Sequence, residues 1–313
     1  MNLLVLGRLT KEYAALIGPE APELTIYTSE DYGQGMLEAA PGAEIVLGYL
    51  FPDELLKEAA ALKWIQLMSA GADQVIFSPL LKDDVQVTTA RGVHSPQMAE
   101  YALGVLVSLA RNLPEMVRNQ ERRVWKQWPG ETLKGKTLGI IGFGAVGQEI
   151  AKFARALGMR VVATRKSGQP HLLADAIYGP KDMGKVLAES DFVIVAVPLT
   201  PETHGLIGPT QLAQMKRGAF LINLSRGGIV DEAALVQSLR QRQLAGAALD
   251  VFDQEPLLRD SPLWEAPNLL ITPHISGLSR DYVRRVTEIF VNNLRRFQKG
   301  QPLLNLVDRS RGY

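Results

Sequence analysis

The sequence predicts an α/β protein built from two doubly wound parallel sheets. Its 313 residues suit two domains at about 150 residues each. Short, nearly continuous apolar runs alternate with helix-length stretches from end to end, the pattern of parallel strands covered on both faces. That rhythm breaks once, at a helical pattern from Ser95 that is longer than one crossover helix requires.

The elements follow in order. Residues 3–6, 24–27, 44–47, 64–68 and 85–89 read as the strands of a first unit. A helix over 52–62 lies among them, and the fourth strand runs into the turn Ser69-Ala70-Gly71-Ala72-Asp73. Ser95 is a plausible N-cap with Pro96 at the first helical position. The helix it opens carries Met98, Tyr101, Ala102, Val105, Leu106 and Leu109, and helical character resumes over 116–125 before Pro129-Gly130 stops it. The second unit has strands at 137–141, 160–163, 192–197, 220–223, 246–250 and 269–272. Helices at 147–157, 184–188, 209–214 and 232–240 separate them, and a last helix covers 281–299. Because the first unit is otherwise small, the last helix is expected to return to it. The expected domains are 1–94 with 280–313, and 95–279, with a ligand cleft between them.

Composition narrows the function. Hydrophobic residues at 46% and charged residues at 21% are ordinary for a soluble globular chain. Thirty-four basic against 33 acidic residues leave no global field for nucleic acid. With no cysteine there is no disulfide, iron–sulfur cluster, thiolate zinc site or cysteine nucleophile. His94, His171, His204 and His274 include no pair at helical ligand spacing, so no metal is expected. The first ten residues lack a basic leader and Arg8 interrupts them, and no apolar run approaches the roughly 20 residues of a membrane span. The expected compartment is the cytoplasm, with neither membrane nor nucleic acid as partner.

The strongest motif is Gly142-Phe143-Gly144-Ala145-Val146-Gly147, a Gly-x-Gly-x-x-Gly turn between a strand and a helix. Gly142 permits the tight turn, Gly144 lets backbone approach a pyrophosphate, and Gly147 lets helix pack on strand. Ala145 and Val146 complete the turn as candidate cofactor contacts, and the N-terminus of the helix that follows favours phosphate. About 20 residues on, NAD sites carry an acidic residue. This chain has Thr164-Arg165-Lys166-Ser167 there. No carboxylate repels a 2′-phosphate and Arg165 can bind one, so NADP(H) is preferred and NAD(H) is possible.

Three further segments lie at or just after strands of the second unit: 223–228, 250–257 and 272–277. They bring Arg226, Glu255 and His274 to the edge where open α/β sheets place their sites. A guanidinium there can bind a carboxylate and the adjacent carbonyl oxygen. An imidazolium can protonate that oxygen as hydride reaches carbon, and a carboxylate behind the ring orients it. Each residue also has a structural alternative. Arg226 would pair with Asp231, Asp250 would cap the turn that follows it, and His94 would make a hydrogen bond at the hinge.

With these motifs in order, at 142–147, 197–200, 223–231, 248–256 and 273–277, the chain resembles the D-isomer-specific 2-hydroxyacid dehydrogenases over essentially its whole length. The resemblance implies a flavodoxin-like substrate domain, a Rossmann dinucleotide-binding domain, and a small 2-oxo or 2-hydroxy acid as substrate. It implies Arg226, Glu255 and His274 as catalytic residues. It places Val197, Pro198 and Thr203 along the cofactor, with Leu224, Ser225, Asp250, His274 and Gly277 beside it. It gives the substrate carboxylate the backbone of Ser69, Ala70 and Gly71, joined by Arg226 and His274. It also implies a homodimer through the arm at 95–125. Tyr49, Leu50 and Phe51 would wall the cleft with apolar surface, and no Arg or Lys stands among them for a substrate phosphate. Trp128, in the stretch 125–128, would line the cleft, make a dimer contact or serve in ordinary aromatic packing. A glyoxylate or hydroxypyruvate reductase fits this pattern. A cofactor-sensing interaction protein of the corepressor branch, or a dehydrogenase of another anion such as phosphite, fits the same residues.

Overall fold

A computed structural model describes residues 1–72 and 75–309. The chain divides into two units, Met1–Val93 with the segment from Ser279 onward, and His94–Leu278. Each is a parallel α/β sheet of its own. Asp73, the last residue of the expected substrate turn, lies outside the described residues, as do 310–313 of the expected first domain.

In the first unit β1 (Asn2–Leu6), α1 (Thr10–Glu20), β2 (Thr25–Ser29), α2 (Gln34–Ala39), β3 (Ile45–Gly48), α3 (Asp53–Glu58), β4 (Trp64–Leu67) and β5 (Gln86–Thr88) follow one another. The strands lie in the order β2-β1-β3-β4-β5, all parallel. That is the flavodoxin-like winding. Alternate residues of the central strands face two cores. Leu4, Leu6, Val46, Ile65 and Leu67 enter one. Leu3, Val5, Ile45, Leu47 and Trp64 enter the other, against Val286, Phe290 and Leu294 of the last helix, Tyr282–Gln298. Trp64 stacks on Phe290 at 5.2 Å and on Phe297 at 5.4 Å, and its Nε1–H donates to Thr88 Oγ1 at 2.8 Å.

The second unit opens with α4 (Ser95–Arg111) and α5 (Leu113–Glu121). It continues with β6 (Thr137–Ile141), α6 (Ala145–Ala156), β7 (Arg160–Thr164), β8 (Ala176–Tyr178), α7 (Met183–Glu189) and β9 (Phe192–Val195). Then come α8 (Pro209–Gln214), β10 (Ala219–Asn223), α9 (Glu232–Arg240), β11 (Leu244–Leu249) and β12 (Leu269–Ile271). The order β12-β11-β10-β9-β6-β7-β8 is the Rossmann winding, with the strand order reversing between β6 and β9. The crevice at that reversal is where such sheets hold ligands.

Several boundaries differ from expectation. The helix expected over 52–62 ends at Glu58, because the turn into β4 needs the intervening residues. Helix does not reach residue 125: Arg123 takes a left-handed φ of 56°, and Val124 N donates to Asn119 O, closing α5 with a Schellman-type cap. The strand expected to run to Val197 stops at Val195. The edge strand β8 is three half-buried residues, too short for a periodic signal. Helix α1 shows one, in the spacing of its buried Thr10, Tyr13 and Ile17. Among the described residues no helix is long and apolar enough to cross a membrane, and no three His, Asp or Glu side chains are grouped to hold a metal ion.

Candidate active site

The glycine turn is shaped by close backbone approach. Gly142 has φ +103°, and a Cβ there would lie 2.5 Å from Ala196 O. At Gly147 a Cβ would meet Gly142 O at 2.5 Å. At Gly144 it would meet nothing within 4 Å. The first and third glycines therefore seal turn, strand and helix together, while the middle one faces open space. Gly144 and Ala145 are exposed at the start of the 12-residue α6, whose first N–H groups have no partner within the helix. This cradle fits a pyrophosphate. Gly142 N donates to Thr164 Oγ1 at 3.1 Å and Phe143 N to Thr164 O at 2.8 Å, so the turn is tied to the end of β7. Arg165 follows at once, half-buried, with Lys166 and Ser167 exposed beyond it.

Val197 lies against Gly142, and the turn after it is closed by Thr203, whose hydroxyl donates to Pro198 O at 2.6 Å. Leu224 and Ser225 are buried, and the Ser225 hydroxyl donates to Val195 O at 2.8 Å. Backbone, not side chain, is what these two residues can offer a ligand.

Arg226 stands exposed on a turn at the end of β10. Asn223 builds that turn: its Oδ1 accepts from Ser225 N and its Nδ2 donates to Arg226 O, both at 3.1 Å. Arg226 does not pair with Asp231. The Asp231 carboxylate caps α9, accepting from Ala234 N at 2.9 Å. Arg226 Nη1 instead donates to Ser225 O at 2.8 Å. At Gly227 a Cβ would collide with the Phe252 carbonyl and lie 2.6 Å from Asp253 N. This glycine lets the Arg226 turn cross the loop that carries Glu255.

Glu255 is held by that loop, its Oε1 accepting from Phe252 N at 3.0 Å. Its Oε2 lies 2.7 Å from His274 Nδ1. The carboxylate accepts, so Nδ1 carries a proton and Nε2 is the nitrogen left for chemistry. His274 adopts a left-handed φ of 53°. Such a conformation persists in a non-glycine residue where its surroundings over-determine it. Asp250, fully buried, does much of that work. Its Oδ1 accepts from Thr272 Oγ1 at 2.6 Å and Ile275 N at 2.9 Å, and its Oδ2 from Ser276 N at 2.8 Å. Its carboxylate thus braces the His274 segment rather than capping the turn after β11.

The second unit thus carries an open cradle that fits a dinucleotide, a paired histidine and glutamate, and an exposed arginine. Residues 103–276 match the family profile described as D-isomer specific 2-hydroxyacid dehydrogenase, NAD binding domain. The chain is 37% identical over 268 residues to the glyoxylate reductase of Thermococcus litoralis, covering 82% of this chain and 80% of that one. This chain belongs to the D-isomer specific 2-hydroxyacid dehydrogenase family. Among solved structures, a family protein from Aeromonas salmonicida superposes with TM-score 0.89 at 37% identity, covering 98% of this chain and 99% of the other. A D-isomer specific 2-hydroxyacid dehydrogenase from Xanthobacter autotrophicus, solved with NADPH and MES, superposes with TM-score 0.88 at 31% identity, covering 100% and 99%.

In the first unit of this dehydrogenase lies the expected substrate turn, after β4. Ser69 Oγ donates to Gly71 O at 2.8 Å, and Ser69 O accepts from Ala90 N at 2.8 Å. The N–H groups of Ser69, Ala70 and Gly71 make no hydrogen bond within the described residues. Of the expected apolar wall, Phe51 is buried in the core of the first unit, Leu50 is exposed, and Tyr49 stacks on Tyr282 at 6.5 Å. Trp128 lines a cavity with Leu109, Arg118, Ala245 and Leu269, at the edge where β11 and β12 begin. That edge is opposite the one bearing the glycine turn and Arg226, so Trp128 stands away from the site of the second unit.

His94 does make the expected hydrogen bond at the junction: its Nδ1 lies 3.1 Å from Gly277 O, which also accepts from Gln97 Nε2 at 3.1 Å. Burial pushes the His94 pKa below the ordinary histidine value, against the pull of the Gly277 carbonyl, and the charges of Arg226 and His274 lower it further. Near the free value of about 6.5, His94 therefore binds less proton folded than unfolded, and unfolding takes up protons there. Its contribution to stability is complete above that pH and is lost as pH falls through the folded value. The urea midpoint should thus drop more steeply from pH 7 to pH 5 in the wild type than in His94→Gln, which keeps a donor but cannot titrate. Parallel curves would reject the assignment.

Proposed function

We propose that this dehydrogenase reduces a small 2-oxo acid, glyoxylate, hydroxypyruvate or a near relative, to the D-2-hydroxy acid with NADPH. The carrying observation is the 2.7 Å pair of His274 Nδ1 and Glu255 Oε2, beside the exposed Arg226. Gly142, Gly144, Ala145, Val146 and Gly147 hold the pyrophosphate on the backbone. Val197, Pro198 and Thr203 flank the cofactor, with the backbones of Leu224, Ser225 and Gly277. Asp250 acts chiefly by positioning residues 272–276. The bound dinucleotide supplies the hydride. Arg226 binds the substrate carboxylate and polarises its carbonyl, with the N–H groups of Ser69, Ala70 and Gly71 as further donors to the carboxylate. As hydride reaches the carbonyl carbon, the C=O π pair takes the proton from His274 Nε2, and Glu255 keeps the ring aligned. Residues 1–94 and 280–313 then act as the substrate-binding domain and 95–279 as the dinucleotide-binding domain.

Arg165 is the proposed reader of the 2′-phosphate. Arg165→Asp removes a charge-assisted contact worth about 1.5–3 kcal/mol and adds repulsion, so the kcat/KM preference for NADPH over NADH should fall by roughly tenfold or more. An unchanged ratio would exclude Arg165 from that role. The reading as a whole is tested with glyoxylate, hydroxypyruvate, pyruvate and phenylpyruvate against both cofactors. Turnover of none of them would sink it. We propose in addition a two-fold dimer through α4 and α5, where Trp125 is 93% exposed and Val117 and Met116 lie open nearby. Light scattering at micromolar concentration should give twice the chain mass.

A further inference from the structure

His274 sits between two points at which its segment is gripped by one face of α4. At the far end, Gly277 O accepts from His94 and Gln97. At the near end, the hydroxyl of Tyr101 lies 2.5 Å from Thr272 Oγ1. Residue 94 caps α4, and 97 and 101 follow at helical spacing, so the three share a face.

The direction of the near-end chain follows from its donors. Thr272 has one hydroxyl proton, and Asp250 Oδ1 accepts it at 2.6 Å. Thr272 Oγ1 must then accept from Tyr101, which donates. Burial pushes the Tyr101 phenol up to about 12, with Thr272 pulling it down and the Asp250 charge raising it, so the donor proton stays in place across the working range of pH. Beyond Thr272 the carboxylate of Asp250 collects Ile275 N and Ser276 N, the two peptide groups that follow His274. His274 N itself donates to Thr272 O at 3.0 Å. Remove the anchor at Thr272, and the left-handed conformation at His274 loses part of what imposes it.

We infer that Tyr101 and Thr272 are positioning residues for the reduction, holding through Asp250 the backbone conformation that keeps the His274 ring on Glu255. The inference rests on the role proposed above for His274 but predicts a ring geometry independent of turnover. Neither residue touches the Glu255–His274 pair in the structure's hydrogen bonds, and their effect passes through the backbone of 272–276.

The test compares Tyr101→Phe, Thr272→Val and Thr272→Ser. The first readout is the two-bond ¹H–¹⁵N correlation of the His274 ring, in ligand-free protein at a pH where the ring is neutral. Its resonances are assigned by their loss in His274→Gln. Wild type and Thr272→Ser should show a single tautomer protonated at Nδ1. Tyr101→Phe and Thr272→Val should show averaging of the two tautomers. The second readout is kinetic. The Phe and Val variants should lose about tenfold in kcat with substrate KM and NADPH Kd within about twofold, while the Ser variant keeps kcat. A wild-type ring spectrum in both Tyr101→Phe and Thr272→Val overturns the inference. So does an equal loss in Thr272→Ser and Thr272→Val, which would trace the effect to the threonine methyl. A wild-type protein that reduces no 2-oxo acid refutes the proposed function instead, and the ring spectra then decide the positioning role alone.

Discussion

His274→Ala lowers kcat for 2-oxo acid reduction by about 10²–10⁴, the usual contribution of a positioned general acid, and leaves NADPH binding nearly unchanged. The separation is expected because the proposed reaction takes a proton from Nε2 of the histidine, whereas the proposed dinucleotide cradle is the glycine turn between β6 and α6. Glu255→Gln keeps shape and a Phe252 contact but removes the charge that faces Nδ1, so it should lose less than His274→Ala. Arg226→Ala should differ in kind, raising KM and lowering kcat together, because in the proposed complex one guanidinium spans carboxylate and carbonyl. The measurements are steady-state kinetics with saturating NADPH and a fluorescence titration of NADPH. A His274→Ala enzyme within fivefold of wild type would remove the histidine from proton transfer.

Gly227→Ala should be nearly as damaging without deleting any functional group. The added methyl would run into the Phe252 carbonyl, with Asp253 N at 2.6 Å, and all these atoms are backbone. No flexible side chain can yield, so one of the two crossing segments must move. Overpacking of this kind costs about 1–3 kcal/mol and occasionally more. The displaced segments carry Arg226 on one side and the Glu255 loop on the other, and Gly228 N is bonded to Asp253 Oδ1 at 2.5 Å between them. A misplacement of about 1 Å in such a site can cost about 10²-fold in rate. The expected result is a lower melting temperature with kcat/KM reduced by about 10² or more per folded molecule, and NADPH affinity changed least. Wild-type kinetics in Gly227→Ala would mean that this crossing is looser than the structure has it.

The fold class, most of the order of strands and helices and the glycine turn were legible in the sequence. Each is encoded locally. A parallel strand buried on both faces must be apolar throughout, as 3–6 and 192–195 are. A position whose Cβ would come within 3 Å of another backbone atom calls for glycine, as at 142 and 147. The motif order was enough to indicate the family, because residues at successive strand ends of one parallel sheet reach one edge whatever lies between them. Local encoding also explains the misses. Strand β8 and helix α2 are too short to show a period, and α5 ends on a left-handed arginine that no composition signals.

Only the tertiary structure decided which groups hold one another. Tyr101 and Thr272 are 171 residues apart, and nothing in either neighbourhood marks them as partners. Asp250 reads equally as a cofactor contact or a local cap until its oxygens are seen to accept from 272, 275 and 276. A pairing of Arg226 with Asp231 stays open as an alternative until that carboxylate is found capping α9. Gly227 looks like one more glycine of a turn until Phe252 passes over it. The physical reason is the same in each case. Backbone shape and burial are set by residues within a few positions, whereas a hydrogen bond or a collision between distant segments depends on how sheets and helices pack. The sequence alone determined the fold class and the motifs that mark the family. Packing decided their geometry, by fixing which polar groups remain open and which are already held.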